Sequence, residues 1–230
     1  MAGTKTFAVM VDEVELAFGQ RTDIATAAGG WVNDAYMRIT TADSLWGTRF
    51  HAYFPTLEIQ SAATSTTDGT SYVTTPTDCL FIRHIWDSTS DVKLAKISLA
   101  DYIERTGRET ATAEGKPREW TRRADTTKGN DKIYVYPRPD ATYALVIYYR
   151  AKPAALTGTN ATVIGVEWDE PIVTLACAIG AQRLQMFDAA KIYKEEFKDI
   201  IRGIACVYYQ EDHDKTDYRK VGPYIEGFGY

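Results

Sequence analysis

Three stretches of this sequence hold residue types that could do chemistry. Glu167, Asp169 and Glu170 bracket Trp168, as an acid–base pair beside a sugar-stacking ring would in a glycoside hydrolase. Acidic residues at a helix start are also what the helix dipole favours, and this structural reading is preferred. Glu211, Asp212, His213 and Asp214 are contiguous and could ligate a metal, but a solvated polar segment after a helix has the same composition. Lys116, Arg118, Arg122, Arg123 and Lys128 surround Trp120. They could meet phosphates and stack a base, or form a loop facing an acidic neighbouring subunit, and the second is preferred. Of the other histidines, His51 carries no motif and His84 sits within an apolar run, where packing explains it better than catalysis. No P-loop, dinucleotide fingerprint, zinc-protease helix or nucleophile elbow is present. The expectation is a protein that is not an enzyme, with no catalytic residue, metal or cofactor.

Composition narrows the classes further. The 230 residues are 45% hydrophobic, enough for one good core or two small ones. With 31 acidic against 26 basic residues and a net charge of -5, the chain does not suit tight, phosphate-neutralising DNA binding. A channel wall past which DNA slides would be neutral or acidic. Cys79, Cys177 and Cys206 are odd in number, far apart and set among apolar neighbours, which fits reduced, buried thiols rather than disulfides or zinc ligands. No apolar run reaches about 18 residues and the N-terminus lacks the apolar centre of a secretory signal, so a soluble protein made in a cytoplasm is expected. Fifteen Tyr and five Trp suit sheet faces and protein interfaces alike.

The elements that must carry these residues fall into three parts. From Thr6 to Ala42 the spacing is helical. Val11, Val14 and Phe18 share a face, Gly19 stops the first helix, and Asp23 is placed to cap the next. In that second helix Trp31, Ala35, Ile39 and Ala42 line one face, with Val32 and Tyr36 beside them. Gly29-Gly30 weakens it by about 1–2 kcal/mol, or marks a kink or a close helix contact. From Phe50 to Lys152 the chain reads as strands: Tyr53–Gln60, a turn at Thr67-Asp68-Gly69-Thr70, Tyr72-Val73, and Cys79–Trp86. Ser98 opens a brief helix with capping-box spacing to Asp101. Glu109–Asn130 reads as polar loop. Lys132–Tyr136 and Tyr143–Tyr149 flank Pro137-Arg138-Pro139-Asp140, a hairpin-like breaker. Helix then returns. Asp169 can cap a helix with Pro171 in its first turn and Ile172, Leu175, Ala176 and Ile179 as its stripe. Another starts near Asp188, burying Ile192, Phe197, Ile200, Ile201 and Ile204 and wetting Lys191, Lys194, Glu195 and Lys198.

The expected fold is α+β: a bundle of N- and C-terminal α-helices with an inserted antiparallel β-sheet or sandwich. Its parts are residues 1–48, the first helices; 49–155, the β-rich insert; 156–210, the helices completing the bundle; and 211–230, an extended arm. The expected bundle core is Val14, Phe18, Trp31, Ala35, Ile39, Leu175, Ile179, Ile200 and Ile204.

The order of these pieces resembles that of head-to-tail adaptor proteins of tailed bacteriophages, including the tail tubular A-type adaptors of short-tailed phages. Trp31-Val32-Asn33-Asp34-Ala35-Tyr36-Met37-Arg38-Ile39 is similar to that family's W-hydrophobic-N-x-A-Y-x-x-I helix, and Trp46 follows as it does there. Gly69–Asp78 looks like the family's G-x-x-x-Y-x-L-P-x-D strand entry, with Thr75 where an apolar residue is usual. Ile133–Asp140 and Ile147–Pro153 look like its paired strands, and the helices from Asp169-Glu170 complete the order. The resemblance covers most of the chain. It implies a homo-oligomeric ring, dodecameric in known adaptors, docked under the portal in the virion neck. The ring would extend the DNA channel without sequence-specific DNA binding and offer a platform to tail or nozzle proteins, with no membrane involved. The bundle would line or abut the channel, and the β insert would face outward or toward the tail.

The C-terminal arm fits that scheme: Pro223, Tyr224, Ile225, Phe228 and Tyr230 set apolar anchors on a Gly-rich segment. They could order on the portal, or the end could be disordered. Lys116, Arg118, Trp120, Arg122 and Arg123 are the expected subunit or tail interface. Alternatives stay open: a tail or baseplate component, a carbohydrate-binding β module using Trp86 and Trp120, or a hydrolase using Glu167 and Asp169.

Overall fold

The computed structural model describes residues 5–41, 44–46, 48–49, 54–107, 113–124 and 131–212, with side chains in the last helix as far as Ile204. The chain forms two compact units, one from Met1–Thr56 with Pro153–Tyr230 and the other from Leu57–Lys152. The architecture is α+β, with helices from both ends of the chain in one unit and strands in the inserted one.

The helical unit starts with α1 (Phe7–Ala17), whose N-cap Thr6 accepts a bond from the Val9 N–H. Phe18 is its C-cap and Gly19, at φ 76°, supplies the left-handed turn that a residue with a Cβ rarely takes. Asp23 does not cap the next helix. It lies in a 3-10 turn, Thr22–Ile24, bound to the Arg21 guanidinium at 2.6 Å, and α2 (Ala25–Thr41) follows directly. A two-stranded ribbon pairs β1 (Ser44–Leu45) with β2 (Thr48–Arg49).

After the insert comes α4 (Asp169–Arg183), the central helix, packed on α1, α2 and the long α5 (Phe187–Asp212). Its burial is wider than the expected stripe: every residue from Thr174 to Ala181 is buried. Such a helix is apolar all round because partners surround it. On α5, Phe197 and Ile201 are buried, Ile200 and Ile204 are half-buried, and Ile192 is 67% exposed, against expectation. Ile192 lies five residues before Phe197 and nine before Ile201, which at about 3.6 residues per turn puts it on the other side of α5.

The β unit holds β3 (Glu58–Gln60), β4 (Thr64–Ser65), β5 (Tyr72–Thr74), β6 (Cys79–Asp87), β7 (Val92–Lys96), α3 (Leu99–Thr106), β8 (Glu119–Ala124), β9 (Asp131–Tyr136) and β10 (Ala144–Ala151). Their order in the sheet is β3-β10-β6-β7-β8-β9-β5, with β4 also paired to β10. All pairings are antiparallel except β7 with β8. A parallel pair needs a crossover, and α3, capped by Ser98 on the Asp101 N–H at 3.1 Å, lies within it. The sheet curls around one core that includes Val73, Ile85, Leu94, Trp120, Ile133 and Ile147.

Two strand expectations are corrected. The strands flanking Pro137–Asp140 do not pair with each other: β9 pairs with β5 and β8, while β10 pairs with β3, β4 and β6. Each is buried on its core face, and strands on both of its sides hold it in place of a hairpin partner. The stretch taken as loop around Trp120 is β8, a strand in the middle of the sheet.

Candidate functional site

The helix that carries the Trp31–Ile39 pattern lies in the core of the helical unit. Trp31, Val32, Ala35, Tyr36 and Ile39 are all buried, and the remaining polar letter of the pattern has its own task. The Asn33 amide donates to the Leu156 carbonyl at 3.0 Å and accepts from the Leu156 N–H at 2.7 Å. Two bonds to one backbone residue 123 positions away fix the returning chain against α2, a role that needs a donor and an acceptor on one short side chain. The Phe18 ring meets Trp31 edge-on at 5.8 Å and Tyr193 at 6.4 Å. Trp46 meets Phe197 edge-on at 5.8 Å, with the Lys194 ammonium 5.1 Å from its ring centre.

The acidic group around Trp168 is structural. One oxygen of Asp169 accepts from the Lys5 backbone N–H at 2.6 Å and the other from the Thr162 hydroxyl at 3.2 Å. Burial pushes its carboxyl above the usual carboxylate range against the pull of those two bonds. Trp168 is buried with its ring edge-on to Phe54 at 5.0 Å, so it offers no face to a sugar. Glu167 and Glu170 are exposed. Asp169 ties the start of the chain to the start of α4 and does not cap its own helix.

The basic segment is divided by the strand it forms. Trp120 is 1% exposed, inside the core, with Lys96 5.6 Å from its ring centre. Arg122 pairs with Asp131 and donates to the carbonyls of Leu80 (2.8 Å) and Cys79 (3.2 Å), joining β8, β9 and the start of β6. Lys116 is half-buried, Arg118 is exposed, and Arg123 lies 5.7 Å from the Tyr134 ring centre. Lys128 is outside the described residues. Trp86 is half-buried and donates to Asp91 at 3.2 Å. Of the two tryptophans offered as a sugar platform, Trp120 has no exposed ring face, while Trp86 stays partly exposed.

His84 stacks on Tyr148 at 4.3 Å, and burial together with Lys93 holds it below the ordinary histidine range. Cys177 is buried, with its thiol pushed up to about 12 by that burial. Cys79 is only half-buried, because it sits at the first residue of β6 rather than inside it. The Cys206 side chain, His51, His213, Asp214 and the arm residues Pro223, Tyr224, Ile225, Phe228 and Tyr230 lie outside the described residues. Among the described residues no group of three or more His, Cys, Asp or Glu could hold a metal ion, and no helix is long and apolar enough to cross a membrane.

What sequence reasoning missed is mostly small or polar. Asn33 was legible as part of a pattern but not as a clamp. Gly180 carried no signal at all. Large apolar side chains left in water are the other omission: Leu16, Phe187 and Ile192 are 63%, 70% and 67% exposed in the helical unit.

No curated protein matches the chain in sequence. A model of the SU10 adaptor protein family matches residues 5–222, a span that includes α1 at one end, α5 at the other and the whole β insert. The chain therefore belongs to the SU10 adaptor protein family and is a structural adaptor protein of a bacteriophage.

Proposed function

We propose that this protein is a head-to-tail adaptor whose copies form a ring beneath the portal, in the neck of the virion. The ring extends the DNA channel and gives tail or nozzle proteins their attachment platform. The observation that carries this reading is the family match over residues 5–222, which takes in both units rather than one.

Other features support it. A net charge of -5 suits a wall past which DNA slides without sequence-specific contact. In a ring each copy meets the next through two different surfaces. Lys116, Arg118 and Arg123 remain candidates for the subunit or tail contact, while Trp120 and Arg122 serve the fold of the β unit. The aromatic arm, Pro223 to Tyr230, is the proposed portal anchor.

Light scattering after size exclusion, on the protein alone and mixed with the portal of its own phage, tests the reading. A fixed number of copies joining each portal is expected, twelve by the resemblance. A folded protein that leaves a competent portal unbound would overturn it.

A further inference from the structure

Among the described residues, the curled sheet of the β unit ends in two unpaired edges, β3 at one end and β5 at the other. In an antiparallel pair, alternate residues bond to the partner and the rest direct their N–H and C=O groups away from it. The Val135 N–H bonds to Ser71 and the Thr75 N–H to Asp131, so Ser71, Val73 and Thr75 face β9 and the backbone groups of Tyr72 and Thr74 face outward. The Ser61 N–H bonds to Ile147, and by the same alternation the backbone groups of Glu58 and Gln60 face outward from β3. Each edge thus presents two N–H and two C=O groups at matching spacing, and none of them has a partner among the described residues.

Three further properties make these edges complementary. The first is direction. Counting along the sheet, with one parallel step between β7 and β8, β3 and β5 run opposite ways. Copies repeated side by side in one orientation therefore bring β5 of one against β3 of the next as an antiparallel pair. The second is face. Tyr72 and Thr74 share the outer face with Tyr134 and Lys132, and Gln60 and Glu58 share it with Tyr148 and Arg150. Pairing Tyr72 with Gln60 and Thr74 with Glu58 keeps outer faces together. It also sets Ile59, an apolar side chain 36% exposed, opposite the core residue Val73. The third is charge. Arg123, Lys132 and Thr74 form one cross-strand row, and the pairing sets Glu58 of the next copy, held at 2.8 Å by Arg83 of its own copy, at the end of that row.

We propose that β5 of each copy pairs with β3 of the next, so that the β units join edge to edge into a continuous belt around the ring. This rests on the ring reading above and names the surfaces that close it. An open edge left in water invites pairing with any strand, and the belt occupies both edges of every copy. Glu58 and Thr74 would then be an antiparallel bonded pair, with Cα atoms about 5.5 Å apart, inside the range a disulfide spans.

The test uses the full chain assembled with its portal. Thr74→Pro removes one outward N–H and leaves the bonds to β9 in place, so the variant should fold while ring formation falls at least tenfold. A Glu58→Cys, Thr74→Cys double variant should give, on oxidation, a ladder of covalent multimers up to ring size, and each single variant should give none. The belt is overturned if rings form normally with Thr74→Pro and the double variant gives no ladder, an outcome that leaves the adaptor reading standing. It is also overturned if Thr74→Pro rings form but lose a tail protein, because the edge then belongs to that partner. If the unaltered protein makes no ring with or without portal, the adaptor reading and the belt fall together.

Discussion

Gly180 of α4 lies flat against the Trp31 ring of α2. A Cβ built on it would sit 2.5 Å from Cε3 of that ring and 3.1 Å from the Phe18 ring. The absence of a side chain at this position lets the central helix approach the tryptophan of the Trp31–Ile39 pattern. Gly30, in α2, has nothing within 4 Å of the same hypothetical atom. The two glycines therefore give opposite signs. Gly30→Ala should stabilise the protein by up to about 1 kcal/mol through helix propensity. Gly180→Ala should destabilise it by about 1–3 kcal/mol, because overpacking exceeds that gain. Urea unfolding of both variants, followed by circular dichroism, reads the two signs directly.

Asn33 gives a second prediction. Asn33→Asp keeps an acceptor for the Leu156 N–H but loses the donor to its carbonyl and places a carboxylate oxygen there instead. A loss of about 1–3 kcal/mol is expected from the orphaned carbonyl, with α2 otherwise intact. Hydrogen exchange should show faster opening around residue 156.

Trp120 separates the strand reading from the loop reading. Trp120→Ala removes a fully buried ring and should cost about 3–5 kcal/mol. Arg118→Ala, two residues earlier and exposed, should change stability by no more than about 0.5 kcal/mol. Similar small effects from both, measured by chemical unfolding, would place Trp120 on a surface.

His84 gives a pH dependence. Burial and Lys93 hold its folded-state value below the ordinary one, so the folded protein resists a proton that the unfolded chain accepts near pH 6.5. The unfolded state then binds more protons between the two values, and stability rises with pH across that interval. The stabilisation from this group is complete above the unfolded value and is lost as pH falls from there through the lower folded value. Thermal unfolding from pH 7.5 to 5 should show the decline, and His84→Gln should flatten it.

The helices were readable because their signals are local. Thr6, Gly19 and Ser98 mark helix ends, and Val14, Trp31, Ala35 and Ile39 fall at the helical period and are buried. Strand order was not readable, because pairing depends on which distant segment arrives. Pro137–Asp140 looks like a hairpin connection, yet it joins strands on opposite arms of the sheet. β8 was lost for a different reason: Glu119-Trp120-Thr121-Arg122-Arg123-Ala124 has a single large apolar residue, and Arg122 is satisfied by Asp131 and by the backbone carbonyls of Cys79 and Leu80 rather than by water. Ile192 does not share the face of Phe197 and Ile201: five and nine residues before them, it falls on the other side of α5. Of the candidate site, the pattern helix was legible. The edges of the sheet were not, since an edge is defined by what fails to pair with it.

The order in which the two units are made differs from the order of the helices they contain. Leu57–Lys152 leaves the ribosome as one uninterrupted stretch and needs nothing after it to complete its core. The helical unit has to wait: α1 and α2 are made first, but the surface that buries Trp31 belongs to α4. At usual elongation speeds the delay between them is on the order of ten seconds. During that interval the apolar face of α2 has no α4 to cover it. Synthesis of α4 is thus the step that ends the nascent chain's exposure to aggregation, and a translational pause placed just before Asp169 would lengthen the most vulnerable period in the life of the molecule.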